Sequence, residues 1–191
     1  FLSHIREVDA ILHMIRCFDS SNIQNVNQTV DPVRDLEIIE TEMMLADLES
    51  IQKRLDKKNK KSLDKEQQDI LETTADCLNN NKDLIKINEK FDLATINKSG
   101  LLSLKPKIYV CNVDEKSIKN GNKYTNLFTE KFGKKNTLII SADIENQINQ
   151  LSNEEKVNYM KMIGSDETGL KLMIKKGYDI FLKNNNQKAG L

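Results

Sequence analysis

Two short polar segments, Asn112-Val113-Asp114-Glu115 and Ser141-Ala142, hold the side chains in this sequence best suited to chemistry. Each follows a β-branched run, Lys107–Cys111 and Thr137–Ile140 respectively. Ligands of open α/β sheets bind beyond the carboxyl ends of the strands, so residues at such exits are the first candidates. An Asn amide offers a donor and an acceptor together and can grip the N6/N7 edge of adenine as a pair. A small residue such as Ala142 lets backbone N–H groups approach a base closely. Turn chemistry also favours Asn, Asp and Ser at these places, so residue type alone does not separate a base reader from an ordinary strand-to-loop turn.

A second constellation is the lysine run Lys57, Lys58, Lys60 and Lys61. It reads as a short charged turn, the solvated tip of a helical hairpin, with phosphate or RNA contact as the functional alternative. His4 and His13 have no partner at metal-ligand spacing and read as packing or polar-surface residues. Cys17 and Cys111 lie near strand ends, where they fill small core space. Arg6 and Arg16 suit phosphate or carboxylate recognition, and Arg6 reads first as a structural ion-pair partner.

The chain that must position these residues has 191 residues, enough for one domain or a domain carrying an insertion. Aromatic residues are only 5% and Trp is absent, which favours helices packed through Leu, Ile and Met. Lys plus Arg and Asp plus Glu balance at 29 each, so only a local patch would favour nucleic acid or a membrane surface. No apolar run is long enough to cross a bilayer, and no membrane partner is expected. The opening FLSHIREVDA is charged too early for a secretory signal. Three widely separated cysteines argue against a disulfide framework and for reduced thiols in the cytoplasm. A start at Phe1 rather than Met fits a portion of a longer protein.

Along the chain, Ala10–Phe18 suits a buried strand of a parallel sheet after a short helix. Ile11 and Ile15, four apart, would also fit the core turn of a helix; β-branching and the flanking turn residues favour the strand. Asp31-Pro32 opens a long helix with a buried face at Leu36, Ile39, Met43, Leu48, Ile51 and Leu55. A second amphipathic run carries Leu63, Ile70, Leu71, Ala75 and Leu78, so the pair predicts an antiparallel hairpin. One further helix is expected over Leu84–Ile96, broken at Gly100. Then follow a strand, a helix from Tyr124 to Phe132, a strand, a helix from Asp143, and two short helices from Glu154. Asn184-Asn-Asn-Gln-Lys188 reads as a disordered end. This order implies an open parallel α/β sheet.

The order of the two polar exits resembles the base reader of P-loop GTPases, Asn-Lys-x-Asp after one strand and Ser-Ala after the next. Here the first slot is Asn112-Val-Asp-Glu115: the Lys that flanks the base is missing and the terminal Asp is Glu. That pattern resembles the YchF/Obg-like ATPase family, and further blocks agree. They are Phe1-Leu-x-His-Ile-Arg-Glu-x-Asp-Ala10, Val30-Asp-Pro32, Leu45-Ala-Asp-Leu48, Leu104-Lys-Pro106, Glu167-x-Gly-Leu170 and Lys176-Gly-Tyr178.

The resemblance implies an α/β fold: a partial P-loop NTPase parallel sheet with an inserted, coiled-coil-like helical hairpin. Residues 1–30 would begin the nucleotide-binding domain, 31–99 form the hairpin, 100–160 complete the domain with its base-recognition loops, and 161–191 lead out. It implies ATP, or GTP, with Mg²⁺ as cofactors of the longer protein, and ribosome or RNA as partners. Asn112 would bond adenine through its side chain and Val113 through its backbone. Glu115 would stand where guanine discrimination is lost, and Ser141 and Ala142 would close over the base. No Gly-x-x-x-x-Gly-Lys-Ser/Thr occurs, so the phosphate nest and the Mg²⁺ hydroxyl are missing from these residues. The polypeptide alone is therefore expected neither to hydrolyse ATP nor to bind it tightly. The alternatives are a ribosome- or RNA-docking helical module, or a degenerate fragment without independent activity.

Overall fold

The computed structural model describes residues 2–20, 29–164 and 167–186. In chain order the elements are α1 (Leu2–Arg6), β1 (Ile11–Arg16), α2 (Pro32–Leu55), α3 (Lys57–Lys60), α4 (Lys65–Asn79), α5 (Ile85–Lys90) and α6 (Leu93–Ser99). There follow β2 (Lys107–Asn112), a 3-10 turn (Glu115–Ser117), α7 (Lys123–Phe132), β3 (Thr137–Ile140), α8 (Ala142–Asn149), α9 (Asn153–Ile163) and α10 (Gly169–Asn186). The chain divides into two compact units. One takes residues 1–11, 37–106 and 180–191; the other takes 12–36 and 107–179.

The second unit is built on the sheet, in the order β1-β2-β3. β2 and β3 run parallel, with Asn112 opposite Ile140 at their carboxyl ends. The Ala10–Phe18 run is thus a strand: its buried Ile15 shares a core with Cys17, Leu36, Cys111, Val113 and Phe128. Tyr109, Phe128 and Phe132 stack within this core, the Tyr109–Phe128 pair edge to face at 5.6 Å between centroids. Cys17 and Cys111 are fully buried here as free thiols. The neighbouring Cys111 thiol, with burial, pushes the Cys17 thiol far above its ordinary range, so it is not a nucleophile at neutral pH.

α2 starts as its sequence requires. The Asp31 carboxylate accepts the Arg34 N–H at 3.0 Å, and Pro32 occupies the first turn, where no N–H is needed. Its buried positions are Leu36, Met43, Asp47 and Ile51. Ile39 corrects the expected face, since it is 45% exposed. The buried stripe instead passes through a carboxylate at Asp47, which periodicity of apolar residues does not reveal.

In the first unit, Ile51 of α2 packs with Ile70, Leu71 and Cys77 of α4, Ile87 of α5 and Ile96 of α6. The lysine run is a single helical turn, α3, rather than an open charged turn. Asp64 caps α4 by accepting the Gln67 N–H at 2.7 Å. The single helix expected over Leu84–Ile96 is two, because Asp92 caps a new start by accepting the Thr95 N–H at 2.8 Å. α6 then ends at Gly100, whose φ of 67° is the left-handed conformation that glycine adopts without steric cost. A second core joins Ile11, Met43 and Leu102. Beside it, Arg6 bonds Asp47, the Gly100 carbonyl and the Ala46 carbonyl. Lys105, almost wholly buried, donates to the Val8 carbonyl, and burial holds it below the usual lysine range.

α10 extends for 18 residues and continues through Asn184–Asn186, where composition predicts a disordered end. Extending an existing helix adds one hydrogen bond per residue fixed, which offsets the modest propensity of Asn. Residues 187–191, including Gln187 and Lys188 of that expected end, lie outside the described residues. No helix among the described residues is long and apolar enough to cross a membrane.

Candidate base-recognition site

Parallel pairing of β2 with β3 brings the two polar exits side by side. The Val113 N–H donates to the Ile140 carbonyl at 2.8 Å, carrying the ladder one residue past Asn112. Beyond that point the chains separate, and the Asn112 side chain spans the gap. Its Oδ1 accepts the backbone N–H of Ala142 at 2.9 Å. An amide has one carbonyl and one NH₂ group. With the carbonyl holding the second loop, the NH₂ group remains to donate to a ligand, for example to a ring nitrogen of a purine.

The backbone role expected of Val113 narrows in the same way. Its N–H is committed to Ile140, so only its carbonyl is left to face a ligand, while its side chain is buried in the core. Ser141 is buried too; its hydroxyl caps α8 by accepting the Ile144 N–H at 3.5 Å. Ala142, the first residue of α8, is exposed, which leaves a small side chain at the mouth of the site.

Glu115 stands on the 3-10 turn, exposed, with its carboxylate facing the hydroxyl of Tyr159 on α9 at 3.1 Å. The same hydroxyl lies 2.7 Å from Oε1 of Gln147 on α8. Burial and the Glu115 carboxylate raise the Tyr159 phenol above its ordinary value, so it remains a protonated donor at neutral pH. With its one proton given to the charged Glu115 carboxylate, the Tyr159 oxygen accepts from the Gln147 amide group, and the side chain so bridges the loop after β2 and the helix after β3. The loop after β1 joins them: Asn122 donates from Nδ2 to the Cys17 carbonyl at 2.7 Å, while its Oδ1 caps α7.

Sequence reasoning identifies Asn112, Val113, Glu115, Ser141 and Ala142, and all five stand on the two exits of this unit. It misses Tyr159, Gln147 and Asn122. For Asn122 a signal exists, since Asn before a helix with Thr three residues on is a capping pattern. The four lysines lie in the other unit. Lys60 is paired with Glu72 at 2.6 Å, Lys57 and Lys61 are exposed beside Gln68, and the side chain of Lys58 lies outside what is described. Among the described residues no group of three or more His, Cys, Asp or Glu could hold a metal ion.

The chain is 35% identical over 199 aligned positions to the ribosome-binding ATPase YchF of Haemophilus influenzae, across 100% of this chain and 54% of that protein. It is 33% identical to the ribosome-binding ATPase YchF of Bacillus subtilis, across 94% of this chain and 52% of that protein. The structure of the Schizosaccharomyces pombe YchF GTPase superposes with a TM-score of 0.74 at 30% identity, covering 93% of this chain and 51% of that one. No family model matches the chain. The chain belongs to the YchF/Obg-like family. It spans about half the length of the curated YchF relatives it matches.

One block that carries the YchF resemblance, Glu167-x-Gly169-Leu170, has a physical reason in this fold. The backbone N–H groups of Gly169 and Leu170, at the start of α10, donate to the Glu145 carboxylate at 2.6 and 3.3 Å. A Cβ at 169 would sit 2.8 Å from the Ile140 side chain and 2.9 Å from Glu145 Oε1, so only glycine fits. Glu167 answers Lys171 at 3.1 Å one turn on. The YchF motif thus seats α10 against the end of β3, immediately before Ser141.

Proposed function

We propose that this chain supplies the base-recognising part of a nucleotide site in a ribosome-associated P-loop NTPase, with adenine preferred over guanine. The observation that carries the reading is the Asn112–Ala142 bond, which joins the two strand exits and commits the amide to one orientation. Guanine selection would need a carboxylate accepting from both N1–H and N2–H. Asp is absent at 115, and the longer Glu115 is engaged by Tyr159. The relatives' names support nucleotide use and ribosome association, and a ribosomal partner implies the cytoplasm.

In the longer protein, ATP or GTP with Mg²⁺ would be held at its phosphates by a loop that these residues do not contain. No hydrolytic step is assigned to this chain. The test uses nucleosides, which need no phosphate loop. Adenosine added to the ¹⁵N-labelled chain should shift the Asn112 side-chain amide signals, and ATP should bind no more tightly than adenosine. Asn112 signals that adenosine leaves unmoved would overturn the reading, and ATP turnover lost on Asn112→Ala would overturn the expectation that these residues alone do not hydrolyse ATP.

The domain roles follow as part of the same reading. Residues 1–30 and 100–160 would be the nucleotide domain, 31–99 a helical insertion and 161–191 the way out. A second role is favoured by the exposure of Lys57 and Lys61 at α3: contact between this turn and ribosomal RNA phosphates.

A further inference from the structure

Tyr159 touches both halves of the candidate site through its hydroxyl: Glu115 beyond β2 and Gln147 on α8 beyond β3. We infer that Tyr159 is a specificity-setting positioning residue, which holds the Glu115 carboxylate against α9 so that it is not a two-oxygen acceptor for guanine. The inference rests on the base-recognition reading above and names the residue that enforces its selectivity.

The chemistry is a matter of counting acceptors. Recognition of N1–H and N2–H together requires both carboxylate oxygens to lie in one plane with the base edge. Glu115 Oε1 is 3.1 Å from the Tyr159 hydroxyl. That bond fixes the side-chain torsions and turns the carboxylate toward α9, which leaves at most one oxygen aligned with a base edge. A Glu arm has one more rotatable bond than Asp and would otherwise have the reach to adapt. The phenol is well suited to this role because its proton is retained at neutral pH. α9 presents it reliably: Ser152 and Glu155 form a reciprocal capping box at the start of that helix, and Gly164 ends it.

Adenosine and guanosine are titrated into the ¹⁵N-labelled full 191-residue chain, with the Asn112 side-chain amide as the reporter. Tyr159→Phe removes only the hydroxyl. The adenosine-to-guanosine affinity ratio should fall about threefold to tenfold, the range expected for one hydrogen bond gained in recognition. Glu115→Gln added to Tyr159→Phe should restore the original ratio, because a carboxamide offers only one acceptor oxygen. A merely structural role would weaken both nucleosides together and leave the ratio unchanged in every variant, and that result would refute the inference alone. If adenosine leaves the wild-type Asn112 signals unmoved, the base-recognition reading falls and the inference falls with it. Should Tyr159→Phe unfold, Gln147→Ala, which removes the other partner of the hydroxyl, should still shift the ratio in one direction; an unchanged ratio there also overturns the inference.

Discussion

The Arg6 guanidinium lies 3.0 Å from a carboxylate oxygen of Asp47, whose side chain is completely shielded from solvent. Asp47 also accepts the backbone N–H groups of Leu102 and Ser103, at 3.0 and 2.8 Å, and the Ser103 hydroxyl at 2.7 Å. Four donors thus converge on one buried anion, which fastens α1, α2 and the segment after α6 within the first unit.

Removing that anion should be severe. Asp47→Ala takes the acceptor from two buried N–H groups and the Ser103 hydroxyl, while Arg6 keeps the Gly100 and Ala46 carbonyls; with the buried ion pair broken as well, the cost is about 3–5 kcal/mol. Urea denaturation should show a loss of this size. Asp47→Asn should fall between, since its carbonyl retains some of the acceptor capacity.

Asn112→Ala should cost stability only modestly, about 1 kcal/mol for the lost bond to Ala142. Its larger effect should be local. The Ala142 amide should exchange with solvent faster, and adenosine should no longer shift the backbone amide signals of Val113 and Ala142. An unchanged adenosine affinity in this variant would remove Asn112 from the site.

Gly169→Ala places a methyl group 2.8 Å from Ile140 and 2.9 Å from Glu145. The β3 end and the α10 start must separate, at a cost of about 1–3 kcal/mol typical of overpacking. Thermal denaturation should record the loss, with amide shifts concentrated at Ile140, Ser141 and Ala142.

Acidification should weaken the surface ion pairs of the helical unit. The Gln67 N–H and then Lys98 hold Asp64 below the usual aspartate range, Lys90 does so for Asp69, and Lys82 for Asp76. A carboxyl held low in the folded chain binds protons less readily than in the unfolded one. Its stabilising contribution is therefore present above the ordinary aspartate value and lost as pH falls through the lowered folded value. Melting followed between about pH 6 and pH 3 should show progressive loss, and molar salt should weaken the same exposed pairs.

The proposed contact of α3 with ribosomal RNA should be strongly salt-dependent. Replacing Lys57, Lys58, Lys60 and Lys61 with Gln should flatten that dependence by about 0.7–0.9 of a log–log slope unit for each phosphate no longer neutralised. Lys60 already faces Glu72, so the exposed Lys57 and Lys61 should account for more of the effect. Unaltered sedimentation with ribosomes at every salt concentration would rule out this interaction.

Much of this architecture is legible in the chain because it is written locally. Asp31-Pro32 starts a helix through a carboxylate and a ring that act within one turn, and Gly100 and Gly133 stop helices through their own torsions. The β-branched runs at Ile108–Cys111 and Thr137–Ile140 are strands, and their polar exits form the candidate site. Ile39 misleads because its spacing suits the buried face, yet the neighbouring elements cover Asp47 instead. The break between α5 and α6 escapes a periodicity reading because the apolar spacing runs through it while Asp92 restarts the helix.

The sequence by itself determined most of the element types, the order of the two polar exits, the family and the absence of a phosphate-binding loop motif within these residues. Only the tertiary structure decided that Asn112 commits its carbonyl to Ala142, that Asp47 is an internal anion, and that Tyr159 reaches Glu115. The physical reason is range. Caps and periodicity act over a few residues, whereas Arg6 meets Asp47 across 41 positions and Tyr159 meets Glu115 across 44. Partners that far apart are chosen by how helices and strands pack, and a linear pattern does not record which side chains that packing brings within about 3 Å of each other.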